Sequence, residues 1–240
     1  MKKAVLIAIS VLAAALLLPA DVYIKTNVHT DAFEMMGQKQ PAKDEVTEQW
    51  VGNGMLANKT GDKIMIMDMN KKLMYVVNPK NRSYVETALP LDMSKLVPKE
   101  AAPMMAMMKV TVKVTPNGQK QKIGSWNCIG YDVDMNMMMM QMKMKVWATT
   151  EVPFDWKAFS KMYVNVSKMQ FMDDAAIAEF MKINGYQVAM EMSMDMMGSK
   201  MKVTSQVVEI SQKPAPAGTY SVPAGYSKKD TLSMSDMQGR

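Results

Sequence analysis

The chain has 240 residues, a formal net charge of +6 and 32 methionines, with one cysteine and one histidine. Nearly all of the positive charge is lysine, Arg82 and Arg240 being the arginines, whereas base reading in nucleic acids leans on arginine. With His29 alone, a histidine-built zinc or copper site and a Ser/His or Cys/His catalytic set are excluded; with Cys128 alone, so is an intrachain disulfide.

The first segment, MKKAVLIAISVLAAALLLPAD, places Lys2 and Lys3 before an apolar run from Ala4 to Leu18, then Ala20 and the polar Asp21. That order predicts a secretory signal peptide over residues 1–20 and an exported, periplasmic chain beyond it. The run is short for a membrane anchor, which wants about 20 apolar residues. No cysteine lies near the cut for lipid attachment, and no later run is long enough to span, so no stable membrane span is expected after cleavage. Residues 21–226 read as a single domain and 227–240 as an irregular tail.

Strands are expected at 22–30 and at 45–58, the latter interrupted near Gly52 and Gly54, then at 63–68, 74–77 and 83–87 with polar turns between them, an antiparallel meander. Residues 91–97 and 102–108 read as short helices. Val110, Val112 and Val114 alternate with Thr111 and Lys113 as a half-buried strand, and Pro116–Gly118 reads as the turn after it. A hairpin follows at 130–139 and 141–149, turning near Met140. Asp155 can cap a helix to Met162, and Asp173 one reaching Ile183 and ending at Asn184–Gly185. Residues 187–196 and 200–210 form a last hairpin around Gly198. The class expected is α+β: an antiparallel sheet with short helices on one side.

Methionines recur with a period of two, which puts them on one face of a strand. Met135, Met137 and Met139 oppose Asp132, Asp134 and Asn136; Met142 and Met144 oppose Lys143 and Lys145; Met190, Met192 and Met194 oppose Glu191, Ser193 and Asp195. Met is unbranched and fits many shapes, so this face can serve as a filled core or as an adaptable apolar wall. Thioethers also select Cu(I) and Ag(I), so the same spacing at Met135/Met137, Met142/Met144 and Met190/Met192 carries an alternative copper(I)-binding reading. The exposed Met234 and Met237 are candidates for reversible sulfoxidation. The carboxylates Asp132, Asp134, Glu191 and Asp195 fall on the polar strand faces, so no catalytic residues are assigned and an enzyme is not expected.

The stretches TEQWVGNGMLANKTGDKIMIMDMNKKLMYVVNPKNRSYVE, KVTVKVTPNGQKQKIGSWNCIGYDV, VWATTEVP and AGTYSVPAGY carry a family resemblance. Ile123, Gly124, Cys128 and Tyr131 form one motif, followed by Trp147 and Thr149. The chain resembles a bacterial exported family of unknown function whose fold is like that of the lipoprotein carrier and receptor proteins LolA and LolB. The resemblance implies a strongly curved antiparallel sheet, an unclosed half-barrel with helices covering its concave face. Related carriers hold acyl chains in that cavity, so it also implies a lipid or other apolar ligand, or an envelope protein partner, on the face of Met135, Met137, Met139, Met142, Met144, Met190, Met192 and Met194. The chain departs from the carriers in lacking a cavity arginine and from the receptor in lacking a lipidated cysteine, so lipoprotein sorting itself is not implied.

Overall fold

A computed structural model describes residues 21–35, 38–89, 110–137, 140–160, 172–196 and 199–231. The expected leader, the helices at 91–97 and 102–108, Met139, and the tail methionines Met234 and Met237 lie outside them.

The strands are β1 (Val22–Thr30), β2 (Phe33–Met35), β3 (Gln38–Gln40), β4 (Lys43–Gly52), β5 (Met55–Thr60), β6 (Lys63–Asp68), β7 (Leu73–Asn78), β8 (Ser83–Ala88), β9 (Val110–Ile123), β10 (Trp126–Met137), β11 (Met140–Thr149), β12 (Tyr186–Met196), β13 (Ser199–Gln212) and β14 (Ser227–Lys229). Twelve of them form one open sheet in the order β14-β8-β7-β6-β5-β4-β1-β13-β12-β11-β10-β9, with β2 and β3 as a separate pair. All pairings in the large sheet are antiparallel except β14 with β8.

The described helices are two short pieces, α1 (156–160) and α2 (Asp174–Phe180). The α+β expectation, with helices covering a concave face, is therefore overturned: the protein is a predominantly β fold built on one large unclosed sheet. Part of the reason lies in β9. Pro116–Gly118, expected as a turn, is instead a bulge within a strand of 14 residues. Tyr131 pairs with Pro116 and Ile129 with Lys120, leaving Asn117–Gln119 looped out opposite Gly130. Asn117 Oδ1 accepts from Gln119 N, and Asn117 Nδ2 donates to Asp132 Oδ1 at 3.0 Å. Gly118 supplies the positive φ such a loop-out requires. The chain turns only at Gly124, so β9 and β10 form one long hairpin.

The expected cap at Asp173 is present: its carboxylate accepts from Ala176 N at 2.8 Å. At α1, Asp155 Oδ1 likewise accepts from Lys157 N and Ala158 N. Glu179 of α2 accepts from Val114 N at 2.9 Å, so the helix satisfies a backbone donor of the edge strand β9. Tyr131 OH accepts from Asn184 N, fixing the end of the same segment.

The meander hairpins are legible residue by residue. Asn53 and Gly54 both have positive φ between the paired Gly52 and Met55, the Asn-Gly two-residue turn that suits strand twist. The β6–β7 and β7–β8 turns share one construction. Asp68 Oδ1 accepts from Lys71 N and Asn78 Oδ1 from Asn81 N, while Lys72 and Arg82 close the loops with positive φ.

Asp68 is 3 % exposed, and Lys71 Nζ lies 3.2 Å from its other oxygen. The Lys71 backbone N–H, foremost, then its ammonium, hold the Asp68 carboxyl below its ordinary value against the opposing effect of burial. A depressed folded pKa stabilises the fold above the unfolded value, and that contribution disappears as pH falls through the folded one. Asp68→Asn keeps the turn, as Asn78 does, but replaces charged hydrogen bonds by neutral ones. It should cost about 1 kcal/mol at pH 7, with the difference from wild type closing as both proteins are denatured by urea at progressively lower pH through the carboxylate range.

Candidate functional site

Register decides what the methionines do. Across β10, β11, β12 and β13, Met135 pairs with Met142, Met142 with Met194, and Met194 with Met201. In the next row, Val133 pairs with Met144 and Met144 with Met192; beyond it, Val146 pairs with Met190. The Met-x-Met motifs, separate in sequence, thus lie side by side as a two-dimensional patch. Directly opposed residues sit about 5 Å apart, closer than the roughly 7 Å between alternate residues on one strand.

This patch walls a cavity of about 800 Å³. Met135, Met137, Met142, Met144, Met190 and Met192 line it, with Val188 of β12 and Val110 and Val207 from the neighbouring β9 and β13. Trp156 and Phe159 of α1, and Ile177 and Phe180 of α2, contribute at its margin. Its polar lining includes Thr26, Ser160, Tyr186, Gln187 and Ser205, and among the described residues no Asp, Glu, Lys, Arg or His lines it. Met194 does not line the cavity but packs with Met135, Met142 and Ile177 in the same apolar cluster. Met139 lies outside the described residues, as does the connection between β10 and β11, since β11 begins at Met140.

Other methionines are plain core. Met67 and Met74 pair directly and are both 0 % exposed, among Leu56, Val85 and Leu89. The Met65/Met67 spacing therefore looks the same in sequence as the cavity motifs and performs a different task. Sequence alternation carries no sign of which methionine rows face free space; that depends on what packs above the strand.

A second hollow of about 680 Å³ is more polar, lined by Asn27, His29, Asp44, Glu191, Thr204 and Gln206 among others, and shares Met190 and Ser205 with the first. His29 Nδ1 lies 2.7 Å from Asp44 and its Nε2 3.1 Å from Asp31. The Asp44 hydrogen bond, with the Asp31 carboxylate assisting, raises the imidazole pKa above its ordinary value. Among the described residues no three His, Cys, Asp or Glu side chains gather closely enough to hold a metal ion. Asp132 and Asp134 are exposed on β10, as are Glu191 and Asp195 on β12, on the strand face expected from their alternation.

Cys128 is 2 % exposed and free. Its Sγ sits 3.5 Å from Trp126 O, and burial pushes the thiol pKa up. Ile123 and Trp147 of the quoted motifs pack with it, so that motif is structural. A buried thiol with a raised pKa is a poor nucleophile. Native protein should therefore resist iodoacetamide at pH 8, and alkylation should become rapid in 6 M (about the usual full-strength denaturant) guanidinium; fast native labelling, read by mass spectrometry, would contradict this environment.

The site and scaffold together define a β-sheet protein with an uncharged apolar cavity on one sheet face. Residues 30–226 match the family described as Domain of unknown function (DUF4412), and the chain belongs to that family. No curated protein matches the chain significantly. Among the described residues no helix is long and apolar enough to cross a membrane.

Proposed function

We propose that the protein is an exported, non-enzymatic binding protein that holds an apolar ligand, a lipid or acyl chain, against the methionine wall. The observation that carries this reading is the cavity itself: about 800 Å³, walled by methionines of three adjacent strands, with no charged side chain among the described residues that line it. Small-molecule sites are commonly concave, mostly apolar and about 300–1,000 Å³. Methionine suits a wall that must accept chains of differing shape, because its three torsions let it repack at low cost. The resemblance to lipoprotein carriers is supported by the open antiparallel sheet and the apolar cavity, not by a helical layer. The leader-like residues 1–20 support export, and an envelope protein is the natural donor or acceptor for such a ligand.

The test is displacement of a fluorescent fatty acid, with native mass spectrometry of the exported protein for co-purified lipid. Met144 is half-buried in the cavity wall, opposite Met192. Met144→Trp fills the space without charge, and Met144→Glu places a charge where nothing offsets it. Both should weaken the fatty acid roughly tenfold or more (about 1.4 kcal/mol per decade) while the far-ultraviolet dichroism stays that of a β protein. Wild-type protein that carries no lipid and binds no fatty acid would remove the reading.

A further inference from the structure

We propose that Met135, Met142 and Met194 form a soft-metal site for Cu(I) or Ag(I), a role separate from apolar-ligand binding although it uses the same wall. The evidence is the register. These three side chains come from three adjacent strands, stand in one cross-strand row, and pack in one cluster. Directly opposed positions lie about 5 Å apart. The three torsions of each methionine let neighbouring sulfurs converge on one ion between them. Met144 and Met192, paired in the adjacent row, offer further thioethers at the same surface.

Three features set this row apart from the enclosed methionines of the core. Met135 and Met142 line the cavity, so an ion has a route to them; Met67 and Met74, also directly paired, are fully enclosed. Among the described residues no imidazole or carboxylate lines that cavity, and the donors of the row itself are thioethers alone. Such a set discriminates against Zn(II), Mg(II) and Ca(II), which prefer nitrogen, oxygen or thiolate, and favours monovalent d10 ions. The one thiol, Cys128, is in a different apolar cluster from the row.

The experiment is titration of the full exported chain, carrying Cys128→Ala to remove the thiol, with silver nitrate in chloride-free buffer, followed by 13C-methyl methionine NMR. One Ag(I) should bind with submicromolar affinity, and the methyl signals of Met135, Met142 and Met194 should shift together while those of Met67 and Met74 stay still. Replacing the three by leucine conserves apolar volume and removes the thioethers, so it should reduce Ag(I) affinity roughly a hundredfold (two decades) while the far-ultraviolet dichroism stays that of a β protein. Met142→Leu alone, the milder change, should already reduce it at least several-fold. Affinity weaker than micromolar in the parent, shifts spread over unrelated methionines, or undiminished Ag(I) binding in both leucine variants would overturn the site. None of these outcomes bears on the fatty-acid result, which stands or falls by itself.

Discussion

Side chains alternate between the faces of a strand, so the pairing register from β9 to β13 governs the whole molecule. Slipping β10, β11 or β12 by a single residue would carry its methionines to the outer face and turn aspartate, glutamate or lysine inward. The sequence resists such a slip strongly, because on β10, β11 and β12 nearly every outward residue between the methionines is charged or polar. Register is interrupted where it must be, by bulges. Gly130 stands opposite the looped-out Asn117–Gln119, and a Cβ there would lie 2.5 Å from Asn117 Oδ1 and 2.9 Å from Trp147 Cζ3. Glycine is thus required by the close approach of Asn117 and Trp147.

The two halves of the sheet solve the burial problem differently. On β9 to β13 one face is apolar and the other polar. On β4 to β8 both faces are covered, which explains why β6 reads Ile-Met-Ile-Met without alternation. Successive pairings set Tyr23, Trp50, Ala57, Ile66 and Tyr75 in one row across β1, β4, β5, β6 and β7. The segment after β13 lies on that face, where Tyr220, Val222 and Tyr226 pack with Trp50, Ile66 and Tyr75. Its start is held by Asp21, whose Oδ2 accepts from Ala215 N at 2.9 Å and whose backbone oxygen accepts from Lys213 N. Lys213 Nζ sits 3.7 Å from the Tyr23 ring centroid, a cation–π contact that joins the strap to the row. Ser227–Lys229 then extends the sheet as β14, past the boundary drawn at residue 226.

Much of this was legible from local chemistry. Asp68, Asn78 and Asp173 act through hydrogen bonds to residues a few positions on, and those are visible in one dimension. The alternating strands were equally legible, since period two needs no knowledge of the partner. The class was misread because local signals were weighed without pairing. Pro116, Asn117 and Gly118 have the chemistry of a turn, but the strand β10 pairs on both sides of them and converts the turn into a bulge. The row of Met135, Met142, Met194 and Met201 was out of reach for the same reason: it consists of residues from four strands, and only the register joins them.

What distinguishes a site from a core in this protein is therefore not residue type but whether anything fills the space above it. Met67 and Met74 show methionine acting as a core hydrophobe, fully enclosed among leucine and valine. Met144 and Met192 show the same pairing half-exposed at a cavity. If filling a core were the whole explanation, leucine would serve at both places, with less rotamer entropy lost on burial. At the cavity a flexible, polarisable side chain has two advantages leucine lacks: it adapts its shape to a guest, and its sulfur presents a soft lone pair toward the space. Leucine in the row keeps the apolar volume but gives up the soft lone pair, so silver binding reports on the sulfur itself.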